Sequence, residues 1–293
     1  AKQDFGIDCI EFVDQFFADK VKDMDYLREL KKRAESEGVA MGLIMIDTTG
    51  DLGAAEKAER DKAVENTFAW IDAAKFLGCR MVRINARGPG DADELRARVV
   101  ESCVRLAEHA AERKLSVAIE NHGKLSSDPA WLVSVMQAVN KPNFGTLPDF
   151  GNFAPETNRY DAVEKMMPYA KGVSAKASSF TPDGLVKETD YFRMMRIVRD
   201  GGYHAAQQLL SLAKPPTAGI GANDLTAIGV MRAAHERGLI VGRDLAVAGF
   251  DGIESAEHTH PPLTTLNQPV YDIGRQLIHM LITLIEGGTL AER

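Results

Sequence analysis

The sequence predicts an α/β fold in which helices cover a parallel sheet, and three observations carry that prediction. Apolar runs of strand length, residues 39–46 foremost, are nearly continuous instead of alternating, as in strands buried on both faces. Segments with apolar residues at helical spacing separate these runs. The strand–helix unit recurs about every 30 to 40 residues, the rhythm of a βα barrel or of a doubly wound sheet.

A first strand is expected over residues 9–13. Residues 26–37 set Leu27, Leu30 and Ala34 on one helical face, and Gly38 closes that helix. The run 39–46 ends on Asp47. A helix over about 62–77 turns Val64, Phe68, Ile71 and Leu77 inward and ends at Gly78, ahead of a strand over 80–85. Arg83, Asn85 and Arg87 alternate along that strand and its exit. A helix over 93–113 leads to the strand that begins at Leu115. Asp128-Pro129 opens the next helix, since proline fits a first helical turn, and a strand follows from Phe144. A strand over 172–176 and a helix over 191–199 bring the strands to six. Beyond them lie a helical pattern from Tyr203, a strand over 217–222, a helix over 225–237 and a strand over 245–250. Residues 263–267 and a last helix with Ile273, Leu277, Leu281 and Leu284 inward complete the chain.

At 293 residues the chain can bury a sizeable core as one barrel or two medium domains. Its 35 basic and 42 acidic residues give a net charge of -7 without a basic cluster, which argues against a nucleic-acid or anionic-membrane surface. Cys9, Cys79 and Cys103 are widely spaced and read as reduced core residues of a cytoplasmic protein. No apolar run approaches the ~20 residues that span a bilayer. The opening residues read as a helix end running into a strand, so an earlier strand is expected to be missing. The sequence leaves the oligomeric state open.

The stretch 115–152 organises the candidate site. Two apolar runs stop on carboxylates, Glu120 and Asp149, and strand ends of this kind meet at one rim of a parallel sheet. His122 and Asn152 follow two and three residues later. Oxygen donors with an imidazole suit a divalent metal such as Mg, Mn, Co or Zn, or acid–base work on a polyol. The plainer reading is that strand ends are polar because the rim meets water. His258 and His260 read as a polar loop, and Gly219-Ile-Gly221 as close strand packing.

Several motifs resemble the xylose-isomerase-like sugar phosphate isomerase/epimerase barrels. They are Ile119-Glu-Asn-His-Gly, Gly145-Thr-Leu-Pro-Asp-Phe-Gly-Asn, Arg83-Ile-Asn-Ala-Arg-Gly and Tyr169-Ala-Lys-Gly-Val-Ser-Ala-Lys, within residues 1–203. The resemblance implies an eight-stranded barrel whose metal is held by acidic residues at the ends of strands five, six and eight. Glu120 and Asp149 take the first two of these places, and Cys9 would begin strand two. Strand seven carries Ala175-Lys176-Ala177-Ser178 where many members have a histidine, and no strand-eight glutamate follows Gly201-Gly202-Tyr203. On this reading Glu120, His122 and Lys176 are catalytic and Glu120 and Asp149 bind the metal. Arg83, Arg87 and Asn152 bind substrate.

The remainder, residues 204–293, resembles the C-terminal part of lac-repressor-type regulators and periplasmic sugar-binding proteins. There Asp224 of Ala222-Asn-Asp and Gln268 after the Leu-Thr-Thr segment would line a sugar cleft, with the other lobe and a DNA-reading headpiece missing. The junction has no Pro-, Ser- or Gly-rich linker, so the tail is expected to pack directly on the barrel. The expected fold is a TIM-barrel-like (βα)8 in which six isomerase-type strands are completed by the strands at 217–222 and 245–250. The leading functional expectation is a constructed chimeric scaffold without native activity and without a tightly bound metal. A metal-dependent sugar phosphate isomerase or epimerase, and a small-sugar binding module, are the alternatives.

Overall fold

The apolar runs become strands of one parallel sheet in a computed structural model that describes residues 9–183, 185–221, 223–267 and 282–283. Its strands are Cys9–Val13 (β1), Ala40–Met45 (β2), Met81–Ile84 (β3), Ser116–Glu120 (β4) and Phe144–Leu147 (β5), paired strictly in sequence order. Pairing without an order reversal is barrel topology; a doubly wound sheet switches direction partway. Between them run Met24–Ser36 (α1), Lys57–Leu77 (α2), Ala92–Glu112 (α3) and Pro129–Val139 (α4). Gly78, at φ 90°, closes α2 in a left-handed turn that a side chain would strain.

Alternation along the strands separates two cores. Leu43, Ala118 and Leu147 point inward and meet Met45 and Met81 inside the curved sheet. Ile44, Val82, Val117 and Ile119 point outward against Trp70, Ile71, Leu106 and Leu132 of the helices. After β5 the short helix Arg159–Met166 (α5) leads to the sixth strand position. There Ala170 bridges Thr146 and Ser174 bridges Asp149, both parallel. The expected strand over 172–176 is thus reduced to two bridges, closed by Lys171 N–H to the Thr146 carbonyl and Ser174 N–H to that of Pro148.

The helix expected to stop near residue 199 continues. Tyr191–Leu209 (α6) runs without interruption through Gly201-Gly202-Tyr203, where the two resemblances meet. Its first half buries Met194 and Val198 in the barrel's helix-side core. Its second half lies against Asp224–Glu236 (α7) at very short range. A Cβ on Gly202 would stand 2.5 Å from the Thr226 carbonyl oxygen, and one on Gly229 would stand 2.2 Å from that of Arg199. Side-chain oxygens of Asp23, Asp91, Asp128, Asn158, Asp190 and Asn223 accept backbone N–H bonds at the starts of α1 and α3 to α7, satisfying donors those ends leave open.

The tail's strands, Ala218–Ile220 (β6) and Ala246–Ala248 (β7), pair parallel with each other. Among the described residues no backbone ladder joins them to the five-stranded sheet. β6 instead faces the 170–173 segment across a crevice of about 240 Å3, lined by Lys171, Val173, Ile220 and Thr226. Residues 263–267, expected as an extra along the barrel, extend the small sheet, with Thr264 bridging Ala248 and Asn267 bridging Asp251. Ala227, Met231, Leu245, Val247 and Leu263, with Ala256 of the one-turn helix Glu254–Glu257 (α8), form the tail's own core. The expected last helix lies outside the described residues apart from residues 282–283. No described helix is long and apolar enough to cross a membrane.

Gly229→Val should lower the unfolding free energy, and with it the urea midpoint, by about 1–3 kcal/mol in free energy, because its methyls meet backbone that cannot yield. Gly219→Ala, whose Cβ has only Val230 at 3.9 Å, should stay within about 0.5 kcal/mol of the parent. A Gly229→Val protein with the parental midpoint would mean that the two helices do not pack in this way.

Candidate functional site

Side chains at the C-terminal ends of β2 to β5 converge on one rim around a buried arginine. Arg83, only 4% exposed, points from β3 into the mouth between Asp47 after β2 and Glu120 at the end of β4. Its Nη1 donates to Asp47 Oδ1 at 2.6 Å, and its Nε stands 2.6 Å from Glu120 Oε2. A buried guanidinium needs such counter-charges, since an unpaired ion in the interior is severely penalised. The second contact is close but misdirected: Arg83 Nε and Glu120 Oε2 are buried with no aligned hydrogen bond, as is Asn85 Oδ1 beside them. The Asn85 amide donates to Asp47 Oδ1, and Arg87 Nη2 lies 3.9 Å from that oxygen.

Asp149 is held from several sides. Asn121, fully buried, donates through its amide to the Asp149 carbonyl at 3.0 Å and accepts the Asp149 N–H at 2.7 Å. The Asp149 carboxylate accepts N–H bonds from Gly151 (2.7 Å) and Asn152 (3.0 Å) at Oδ1, and the Ser174 hydroxyl at Oδ2 (3.0 Å). The Asn152 amide then donates to Glu120 Oε1 at 3.2 Å, while its carbonyl accepts from Lys176 Nζ at 2.9 Å. Lys176 thereby reaches Glu120 through Asn152. His122 stands at the outer edge, its Nδ1 3.5 Å from Arg87 Nη2 and its backbone N–H on the Ser126 hydroxyl.

The rim sorts its protons by environment. Burial raises the Glu120 carboxyl to about 7; the pull of Arg83 opposes this and the neighbouring Asp149 reinforces it. For Asp47, burial is the largest single influence and acts upward. Arg83, Asn85 and Arg87 together outweigh it and hold that carboxyl below the usual range. Burial, then the charges of Arg83 and Arg87, lower the His122 imidazole, so it is neutral at neutral pH. A carboxyl poised near neutrality on the same rim as an uncharged imidazole supplies the types of group that acid–base chemistry uses.

Seven residues marked in the sequence meet at this rim: Arg83, Arg87, Glu120, His122, Asp149, Asn152 and Lys176. Asp224 does not join them. It is 0% exposed inside the tail, where Oδ2 accepts the Ile253 N–H at 2.9 Å and Oδ1 the Thr265 hydroxyl at 2.5 Å. Its expected place in a sugar cleft is therefore replaced by a structural one, since no surface is left for a ligand. Gln268 lies outside the described residues. Asp47, Asn121 and Ser174 were not singled out, although Asp47 ends an apolar run just as Glu120 and Asp149 do.

The donor set does not fit a tightly held divalent metal. Among the described residues no group of three or more His, Cys, Asp or Glu side chains converges to hold one. Of the two Glu120 oxygens, Oε2 stands 2.6 Å from the Arg83 guanidinium and Oε1 accepts from the Asn152 amide. A hard cation takes six or more oxygens, and zinc takes four donors.

The sequence of the Xylose isomerase-like TIM barrel family matches residues 1–214, and that of the Periplasmic binding protein-like domain matches residues 143–293. The HTH-type transcriptional repressor CytR of Escherichia coli K12 is 38% identical over 104 residues, 36% of this chain and 30% of the repressor. The chain thus spans less than a third of that relative. The crystal structure of L-ribulose 3-epimerase superposes with a TM-score of 0.57 at 18% identity, over 83% of this chain and 91% of that one. A xylose isomerase-like barrel from Mycobacterium smegmatis, solved in complex with magnesium, gives 0.55 at 18% identity, over 73% and 77%. At such identities the structures share the fold alone.

The raised Glu120 carboxyl means that the native state binds its proton more tightly than the unfolded chain does. Its stabilising contribution is therefore full below about pH 4.5 and is lost as pH rises to about 7. Relative to the parent, Glu120→Gln should gain ~1–3 kcal/mol between pH 4.5 and pH 8, at up to about 1.4 kcal/mol per unit. Chemical denaturation across that range checks this, and parallel pH curves for the two proteins would contradict it.

Proposed function

We propose, since the chain belongs to the xylose isomerase-like TIM barrel family through residues 1–214 and to the periplasmic binding protein-like family through residues 143–293, that it is a constructed hybrid scaffold. Its isomerase-type rim binds a small sugar without metal-dependent turnover. The observation that carries this reading is Arg83, which lies 2.6 Å from both Asp47 and Glu120 and supplies internally the positive charge these carboxylates face.

Binding follows from the polar groups that remain. A ketose or polyol offers alternating donors and acceptors, which Glu120, Asp149 and Asn152 can meet, with Lys176 and Arg87 donating from the edge. Glu120, protonated below about pH 7, can donate to a sugar oxygen. In this family a bound metal would polarise the sugar carbonyl, but among the described residues no third ligand joins Glu120 and Asp149. The repressor-type tail supports the barrel through α6 and α7, with Asp224 tying its loops together.

Calorimetric titration with Mn2+ should show no saturable binding up to about 1 mM, an affinity of about −4 kcal/mol, and D-psicose and D-fructose should not interconvert. Micromolar Mn2+ binding accompanied by turnover would replace this reading with that of a working metal-dependent epimerase.

A further inference from the structure

The crevice between barrel and tail exists only where the two pieces meet. One wall is the barrel's sixth strand position, and the other is β6 with the start of α7. Its volume of about 240 Å3 falls below the ~300–1,000 Å3 of drug-sized sites, so it suits a molecule of a few carbons. Met167, Val173, Ala205 and Ile220 give it an apolar lining, to which Thr226 adds a hydroxyl. Among the described residues that line it, Lys171 alone is ionisable.

Lys171 is a half-buried amine without a counter-ion. Its Nζ donates to the Pro142 carbonyl at 2.8 Å, and among the described residues no carboxylate pairs with it. The stem lies across β5, where Gly145 leaves room for it: a Cβ there would stand 2.9 Å from both Cγ and Cε of the lysine. Burial pushes the ammonium below the usual lysine range, since a low-dielectric surrounding disfavours a charge that nothing offsets. Such a lysine is more often the neutral amine, whose lone pair is a nucleophile. Lys176, at the other end of the same strand position, is engaged with Asn152 at the rim, so the two lysines serve separate places.

We infer that Lys171 is a covalent capture site for small apolar aldehydes, which it holds in this crevice as a Schiff base. The amine lone pair attacks the carbonyl carbon and forms the C–N bond of a carbinolamine. Water then leaves, its oxygen being the former carbonyl oxygen and its two hydrogens those of the amine, and the C=N bond remains. No oxidant or reductant is consumed, and hydrolysis returns both partners. The hydrocarbon end of the aldehyde lies against Val173 and Ile220, which excludes water and sets the preference for an apolar chain. This site is independent of the sugar-binding reading of the rim.

The probe is butanal with sodium cyanoborohydride, which reduces the imine to a stable secondary amine, and peptide mass spectrometry then reads each lysine. At neutral pH, Lys171 of the parent protein should be alkylated about tenfold faster than the exposed Lys124 and Lys187 of the same molecule. Ile220→Trp fills the crevice from its open side. Because Ile220 is 73% exposed, this variant should keep the parental urea midpoint while the Lys171 rate falls to that of the two exposed lysines. A Lys171 alkylated no faster than Lys124 and Lys187 in the parent would overturn the inference. So would an undiminished Lys171 rate in a folded Ile220→Trp protein, since the aldehyde would then reach the amine without entering the crevice.

Discussion

Two helices in backbone contact hold this molecule together. α6 crosses α7 so closely that only hydrogen fits at Gly202 and Gly229. Met194 and Val198 of α6 belong to the barrel's core, while Ala227 and Met231 of α7 belong to the tail's. A single rigid rod thus carries the chain from one family's architecture into the other's, with no linker to let them drift. The small sheet of β6 and β7 then stands beside the sixth strand position by helix packing, across a crevice, without sharing its hydrogen bonds.

At the rim the corresponding constraint is charge. Three carboxylates, Asp47, Glu120 and Asp149, lie around strand ends that exclude most water, and burying them with no counter-charge would be prohibitive. Arg83 neutralises two of them, and backbone N–H groups with the Ser174 hydroxyl satisfy Asp149. The price is misalignment at Arg83 Nε and a Glu120 carboxyl left half-protonated near neutrality.

The barrel half was legible because a doubly buried strand writes itself as a continuous apolar run: five of the six expected strands appear within about two residues of their expected bounds, and the sixth survives as two bridges. Its chemistry was legible for a related reason, since the residue ending each run must face the rim. Partners such as Asn121 and Ser174 were not, because a hydrogen bond across strands leaves no periodic trace. α5 is a single short helix with little periodicity to read. The Gly201-Gly202 pair reads locally as a helix breaker; its tolerance inside α6 comes from the close approach of α7, a tertiary fact. Asp224 misled for the opposite reason, a carboxylate in a familiar setting turning to loops of its own tail once the cleft geometry was gone.

The central claim, that one shared helix makes the two pieces fold as a unit, is tested most directly by native-state hydrogen exchange. The account predicts that the slowest amides of β4, at Val117 and Ile119, and those of α7, at Ala227 and Met231, open with the same free energy and the same denaturant dependence. Exchange of the α7 amides through a separate opening, several kcal/mol below that of β4, would contradict it.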